Sequence, residues 1–216
     1  MLDVLSSASM KFTRKTVISV IIILVFLTSS LVVFSQFFNN SLSAEVVVFE
    51  TSLGSFEVQL DRQKAPLTVE NFVKYVKTGF YNGTVFHRVE SGFVIQGGGF
   101  TAAGTEKATS TPIKLESNNG LKNLVGTIAM ARTSDPNSAT SQFYLNLVDN
   151  TRLDYSTTNK GYAVFGKVVS GMDVIHKIAA VKIKTRMIYL ADYNMTYPFE
   201  NWPEQDIVIK KASVKP

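Results

Sequence analysis

The stretch Phe86-His87-Arg88-Val89-Glu90-Ser91-Gly92-Phe93-Val94-Ile95-Gln96-Gly97-Gly98-Gly99-Phe100 decides how the rest of the chain is read. It holds two short apolar runs separated by Ser91-Gly92, as a β-hairpin does, and it closes on three consecutive glycines. Glycine runs mark backbone that needs positive φ or a very close neighbour. Period-two alternation places Phe86, Arg88 and Glu90 on one strand face, and Val94 and Gln96 on another. One hairpin-sized unit thus presents a cation (Arg88), an amide (Gln96) and an apolar ring (Phe93). A guanidinium beside such a ring suits a ligand that is greasy at one end and rich in carbonyls at the other.

Upstream of this unit, Val46–Glu50 and Ser55–Leu60 read as a hairpin turned at Thr51–Gly54. Pro66 opens a helix with Val69, Phe72, Val73 and Val76 at i, i+3, i+4 and i+7, and Gly79 is placed to end it at C′. Downstream, Thr101 to Thr111 is a polar loop and Asn118-Asn119-Gly120 a turn. Strands are expected at about 124–131, 141–147 and 162–169. A short helix starts near Met172 with Ile175 and Ile178 inward, and Ile207–Lys210 forms the last strand after an aromatic loop from Tyr189 to Trp202. About eight short strands and two helices point to a mostly β, closed barrel.

FHRVESGFVIQGGGF resembles the signature of the cyclophilins, the peptidyl-prolyl cis-trans isomerases. With Met130-Ala131-Arg132 and Ser141-Gln142-Phe143-Tyr144 it is similar to the periplasmic cyclophilins of Gram-negative bacteria, over about Val46 to the C-terminus. The resemblance implies a closed eight-stranded antiparallel β-barrel with a helix covering each end. It implies a catalytic Arg88, with Gln96 and Gln142 holding substrate backbone and positioning it. Phe93, Val94, Tyr144 and Leu153 match the apolar proline pocket. Ala131 and Arg132 match the edge that pairs with substrate, and Tyr162 stands on the rim. The implied partners are proline-containing polypeptides, met by a monomer without cofactor or metal.

This chain departs from the family pattern at three places. Glu90-Ser91 replace an aliphatic residue and Pro, Arg152 replaces a rim aromatic, and Tyr162 replaces the rim His of eukaryotic members. The rim is therefore more basic and less aromatic. A fold-matched peptide-binding module or chaperone without turnover is the competing function, and an unrelated small-ligand barrel a third. Retention of Arg88, Phe93 and Gln142 favours the enzyme.

Composition removes other classes. There is no cysteine, so disulfides, thiol catalysis and cysteine-based metal sites are excluded. His87 and His176 lack metal-ligand spacing, and isomerisation needs no general base from His87. His87 reads as a structural group and His176 as solvated. Gly97-Gly98-Gly99 is not followed by the Lys-Ser/Thr of a phosphate loop. The net charge is +5, and residues 1–44 hold three of the basic residues and one of the acidic, leaving +3 for the remainder. No dense Lys/Arg run exists, so nucleic acid is not an expected partner.

Residues 1–44 differ from the rest. Lys11, Arg14 and Lys15 precede an uncharged run that lasts to Ala44. It fits a secretory signal peptide ending at Ser43 or Ala44, with Met10 as an alternative start. It equally fits an uncleaved anchor in which residues 16–38 span the bilayer as a helix of about 20 residues. Either way the domain 45–216 lies outside the cytoplasm, in the periplasm, free or tethered to the inner membrane. Cleavage is the expected outcome, because it releases a domain starting almost on the first strand. Fractionating cells that express the full chain and sequencing the N-terminus of the product tests this. A membrane-pelleted product that retains Lys11 overturns cleavage in favour of the anchor.

Overall fold

The computed structural model describes residues 45–190 and 194–216; the signal or anchor helix expected within residues 1–44 lies outside them. The first hairpin is β1 (Val46–Thr51) and β2 (Gly54–Leu60), paired from Val46–Gln59 to Thr51–Gly54. Helix α1 (Pro66–Lys77) follows, burying Val69, Phe72, Val73 and Val76 as the spacing requires. Gly79 has φ 69°, and the amides of Gly79 and Phe80 reach the carbonyls of Val76 and Tyr75. That is the Schellman stop, in which a left-handed residue lets the chain satisfy the last helix carbonyls.

The helix start has no local cap, since Ala65 has no side-chain oxygen and the first turn has no acid. A carboxylate from 48 residues downstream replaces it. Glu116 accepts hydrogen bonds from the amides of Leu67 (3.1 Å) and Thr68 (2.8 Å) and from the Thr68 hydroxyl (2.7 Å). These are the second and third helical residues, whose N–H groups have no partner inside a helix.

The hairpin of the diagnostic motif is β3 (Thr84–Glu90) and β4 (Val94–Thr101). Then come β5 (Thr127–Met130), β6 (Phe143–Asn146), a 3₁₀ turn (Thr151–Leu153), β7 (Val164–Ser170) and helix α2 (Met172–Ala179). Ile175 and Ile178 are buried and His176 is exposed. The chain ends through β8 (Ile183–Leu190), β9 (Met195–Pro203) and β10 (Ile209–Val214). Eight strands form one antiparallel sheet in the order β10-β1-β2-β7-β5-β6-β4-β3. The two ends meet where Val85 bridges Val208, Phe86 N–H donates to the Ile207 carbonyl (3.0 Å) and Gly83 N–H to the Ile209 carbonyl (2.8 Å). Closure removes the unpaired edges that an open sheet would expose. The interior is aromatic: Phe49 stacks on Phe56 at 4.8 Å, and Phe72 meets Phe165, Tyr81 and Phe143 at 4.9–5.7 Å.

Three expectations need correction. The segment from Tyr189 to Trp202 is no loop: β8 and β9 pair from Ile183–Pro203 to Leu190–Met195 as a hairpin outside the barrel sheet. Burial accounts for Trp202, whereas Tyr189 and Tyr197 are exposed. Trp202 and Ile188 are buried with Val85 and Phe100 on the outer surface of β3 and β4. The last strand does not stop at Lys210 but runs to Val214, because pairing with β1 outweighs the polarity of Lys210-Lys211. Finally, Phe86 and Arg88 do not share a face. The register runs Phe86–Gly97 and then Arg88–Gln96, so β3 carries one extra residue, His87, at a bulge.

Among the described residues no helix is long and apolar enough to cross a membrane. The remote helix cap gives a direct test. Glu116→Ala should cost about 1–2 kcal/mol, the worth of a lost cap and its charge on the helix dipole. For a chain of this size that is roughly 2–8 °C in Tm. An unchanged melting curve would show that solvent replaces the carboxylate without cost.

Candidate active site

The bulge places the catalytic candidate. Phe86 and Val89 are buried in the barrel interior, while His87 packs on the outside against Phe100, 4.9 Å between ring centres. Arg88 follows it on the outer surface and lines a groove of about 290 Å³. From Arg88 a single row of paired residues crosses the sheet. Arg88 pairs with Gln96, Gln96 with Tyr144, Tyr144 with Ala129, and Ala129 with Val164, spanning β3, β4, β6, β5 and β7. Neighbouring strands lie about 4.8 Å apart, so such a row sets side-chain spacing without help from loops.

The groove is lined by Arg88, Phe93, Val94, Gln96, Ala131, Arg132, Tyr144, Leu153 and Tyr162. These are nine of the ten candidates from the sequence. The tenth, Gln142, accepts a hydrogen bond at Oε1 from Gln96 Nε2, 2.9 Å. Gly99 makes room for it: a Cβ there would lie 2.6 Å from the Gln142 side chain. Gly98 has φ 84°, and a Cβ there would meet Phe143 and Tyr81 at 2.9 Å. The backbone beside Gln142 is fixed as well, since Ser141 donates to the Gly98 carbonyl (2.9 Å) and Tyr81 to the Ser141 carbonyl (2.8 Å).

The walls come from loops. Phe93 sits in the β3–β4 turn, and its carbonyl accepts from Leu147 N–H and Asn150 Nδ2, both at 3.0 Å. Tyr162 N–H donates to the Leu153 carbonyl (2.9 Å), and its ring meets Tyr144 edge-on at 5.8 Å. Arg132 lies over Tyr162 with its guanidinium carbon 4.5 Å from the ring centre. The Ala131 amide is already bound to the Gln142 carbonyl, at 2.9 Å. Arg88 pairs with Glu90, two residues on in the same strand, while its guanidinium carbon stays 5.6 Å from the Phe93 ring centre. The pair therefore holds Arg88 at the groove.

A buried polar layer beneath the floor was not foreseen. The Tyr144 hydroxyl donates to Asn123 Oδ1 (2.7 Å), and Asn123 donates through N–H and Nδ2 to Asp154 Oδ1 at 2.8 and 3.0 Å. Asn150 Nδ2 donates to Asn146 Oδ1, 2.8 Å, and the Asn150 amide to the Asn123 carbonyl, 2.7 Å. Asn123 and Asn146 have no solvent exposure, so each bond is made in a poorly screened setting. Burial, reinforced by Tyr162 and Asp154, pushes the Tyr144 phenol far above its usual range, so it stays a neutral donor. The only sequence signal was asparagine within the apolar run Leu145–Leu147, which is too weak to separate a buried network from a loop. Among the described residues no cluster of acids or histidines is arranged to hold a metal.

Comparison with known proteins follows the same outline. The family model for "Cyclophilin type peptidyl-prolyl cis-trans isomerase/CLD" matches residues 46–214. Peptidyl-prolyl cis-trans isomerase A of Dickeya dadantii is 50% identical over 185 residues, covering 86% of this chain and 92% of the relative. Peptidyl-prolyl cis-trans isomerase B of Escherichia coli is 45% identical over 172 residues, covering 78% and 99%. A crystal structure of a cyclophilin-type isomerase from Cryptosporidium parvum, at 24% identity, shares the fold with a TM-score of 0.66 over 80% of this chain and 98% of its own.

His87, read as structural, is buried among Phe100, Phe199 and Trp202, yet its Nδ1 has no hydrogen-bond partner. Burial above all, and then the charge of Arg88, lower its pKa to about 3, against a smaller opposing hydrogen bond to the Val85 backbone. The unfolded chain takes up a proton near pH 6.5, whereas the folded chain resists to about 3. Its share of stability is therefore complete above pH 6.5 and is lost as pH falls from there toward 3, about tenfold in the folding equilibrium per unit. Urea unfolding at pH 7 and pH 5 should show the loss, and His87→Phe should reduce it. An equal loss in the variant would assign the effect to other groups.

Proposed function

This chain belongs to the cyclophilin-type peptidyl-prolyl cis-trans isomerases, and we propose that Arg88 is its catalytic cation and exported proteins are its substrates. The isomerase activity itself follows from the family and from relatives at 45–50% identity. The observation that carries the residue assignment is the cross-strand row that sets Arg88 and Gln96 beside the apolar floor of Phe93, Val94, Tyr144 and Leu153.

Rotation about the bond before proline faces a barrier of roughly 18–20 kcal/mol, because the C–N bond has double-bond character. Uncatalysed exchange takes tens of seconds or longer, so millisecond turnover needs about 10⁴-fold, or about 5.5 kcal/mol. No bond is made and no net proton moves. At the twisted geometry conjugation is lost and the imide nitrogen gains a lone pair. A fixed cation beside that nitrogen acts on the transition state far more than on either ground state. In this reading the proline ring lies on the floor, Gln96 and Gln142 hold the flanking backbone, and Arg88 donates to the nitrogen. The edge at Ala131-Arg132 aligns the peptide, and Tyr162 closes the rim.

In this reading the protein acts as a monomer on proline-containing polypeptides and not on nucleic acid, the latter supported by the lack of any dense Lys/Arg run. The basic-then-apolar pattern of residues 11–44 supports a periplasmic site of action, free or held at the inner membrane through residues 16–38. Clients there would be newly exported chains with slow X-Pro steps.

Arg88→Ala should lower kcat/KM by at least tenfold in a proline-limited refolding assay while the circular dichroism spectrum stays native. Arg88→Lys should not restore full rate, since a point charge on a flexible stem lacks the planar fork. A fully active, folded Arg88→Ala protein would remove Arg88 from the mechanism.

A further inference from the structure

Five arginines lie among the described residues. Arg62, Arg88 and Arg186 each pair with a carboxylate, Glu45, Glu90 and Asp206 respectively. Arg132 and Arg152 have no acidic partner among the described residues; Arg132 lines the groove, and Arg152 lies on Phe93, which lines it. Arg152 holds its guanidinium carbon 4.4 Å from the centre of the Phe93 ring, and Arg132 holds its own 4.5 Å from Tyr162. Arg132 is further fixed by Nε donating to the Gly161 carbonyl (3.0 Å) and Nη1 to the Thr133 carbonyl (2.8 Å). The two share one wall, because Leu153 follows Arg152 and accepts from the Tyr162 amide. At the other end of the groove the polar contact is different, with Gln142 Nε2 lying 3.4 Å from Glu106 Oε1.

A guanidinium stacked on a ring loses little further freedom when a carboxylate enters its fork, and Arg152, laid on Phe93, supplies that fork, while Arg132, with Nε and Nη1 already donating to carbonyls, adds a fixed positive charge beside it. Arg88 does not add to this charge, since Glu90 balances it. We propose that the groove prefers segments with an acidic side chain adjacent to the proline, received by Arg152 and Arg132. This rests on the isomerase reading of the groove and specifies which of its substrates turn over fastest. A bland solvated surface would leave the two guanidiniums extended into water, whereas here each is laid on a ring that lines the groove.

Exchange NMR on the purified full chain tests the proposal with otherwise neutral peptides. Glu, Gln or Lys is placed before the proline in one set and after it in another. At low salt Glu should exceed Gln in kcat/KM by roughly two- to fivefold in at least one set, the size expected of a solvent-facing ion pair. Lys should fall below Gln in that set. The ratio should shrink toward one in 1 M salt, where charges are screened beyond about 3 Å. It should also shrink in Arg152→Gln and further in Arg152→Gln with Arg132→Gln. Equal rates for Glu and Gln in both sets overturn the preference while leaving isomerisation intact. A preference that survives high salt and the double substitution overturns the assignment to these arginines. Turnover of no peptide at all overturns the preference together with the isomerase reading.

Discussion

Between Phe86 and Arg88 the strand β3 carries one residue more than the strand beside it, and the site depends on that mismatch. Strict alternation would send Arg88 to the same side as Phe86, into the aromatic interior. A guanidinium there would lose its hydration without a carboxylate to replace it. The extra residue at His87 instead sends two consecutive side chains outward, one under the β8–β9 hairpin and the next into the groove. The bulge needs slack on β4, and Gly97-Gly98-Gly99 supplies it. Gly97 is so close to Phe86 that a Cβ would lie 3.0 Å from the ring and from the Val85 carbonyl. The same run leaves space for Gln142 and so admits its hydrogen bond to Gln96.

From this constraint the two apolar layers acquire separate tasks. The interior layer, built on Phe49, Phe72, Phe86, Phe143 and Phe165, closes the barrel and fixes strand register. The outer layer of Val94, Ala129, Tyr144 and Val164 is half of a core, with Phe93, Leu153 and Tyr162 around it and open space above. A proline ring is the right kind of group to complete it, being apolar, compact and attached to backbone that the flanking amides can hold. The buried asparagine layer beneath keeps the floor from collapsing into the void, because each of its bonds is directional and costly to break inside the protein.

The β8–β9 hairpin has a related structural role. Trp202 donates to Asp206 (2.8 Å) while Arg186 reaches the same carboxylate (3.2 Å) and covers the indole ring at 4.7 Å. This arrangement seals His87 from solvent, so the residue next to Arg88 stays neutral. Two adjacent cations on one strand would repel each other and weaken the placement of Arg88. The hairpin supplies none of the residues that line the groove and acts on it through the neutral His87 beside Arg88.

By itself the sequence determined the class of barrel and both helices with their buried faces, and it named ten candidates of which nine line one groove and the tenth, Gln142, is bonded to Gln96. Those features rest on local patterning or on the long motif around Arg88, and both survive without coordinates. The Schellman stop at Gly79 was legible for the same reason, since only the chain's own next residues make it. Tertiary structure decided the rest. The facing of Phe86 against Arg88 depends on how many residues the paired strand spends opposite them, which one strand cannot record. Glu116 caps a helix 48 residues away, and Asn123 holds a tyrosine 21 residues away. Arg152 reads in the sequence as the loss of a rim aromatic, yet its guanidinium lies on Phe93, 59 positions earlier. Each of these joins segments distant in the sequence, and its partner is set by how the barrel brings loops, strands and helix together, not by any neighbouring residue.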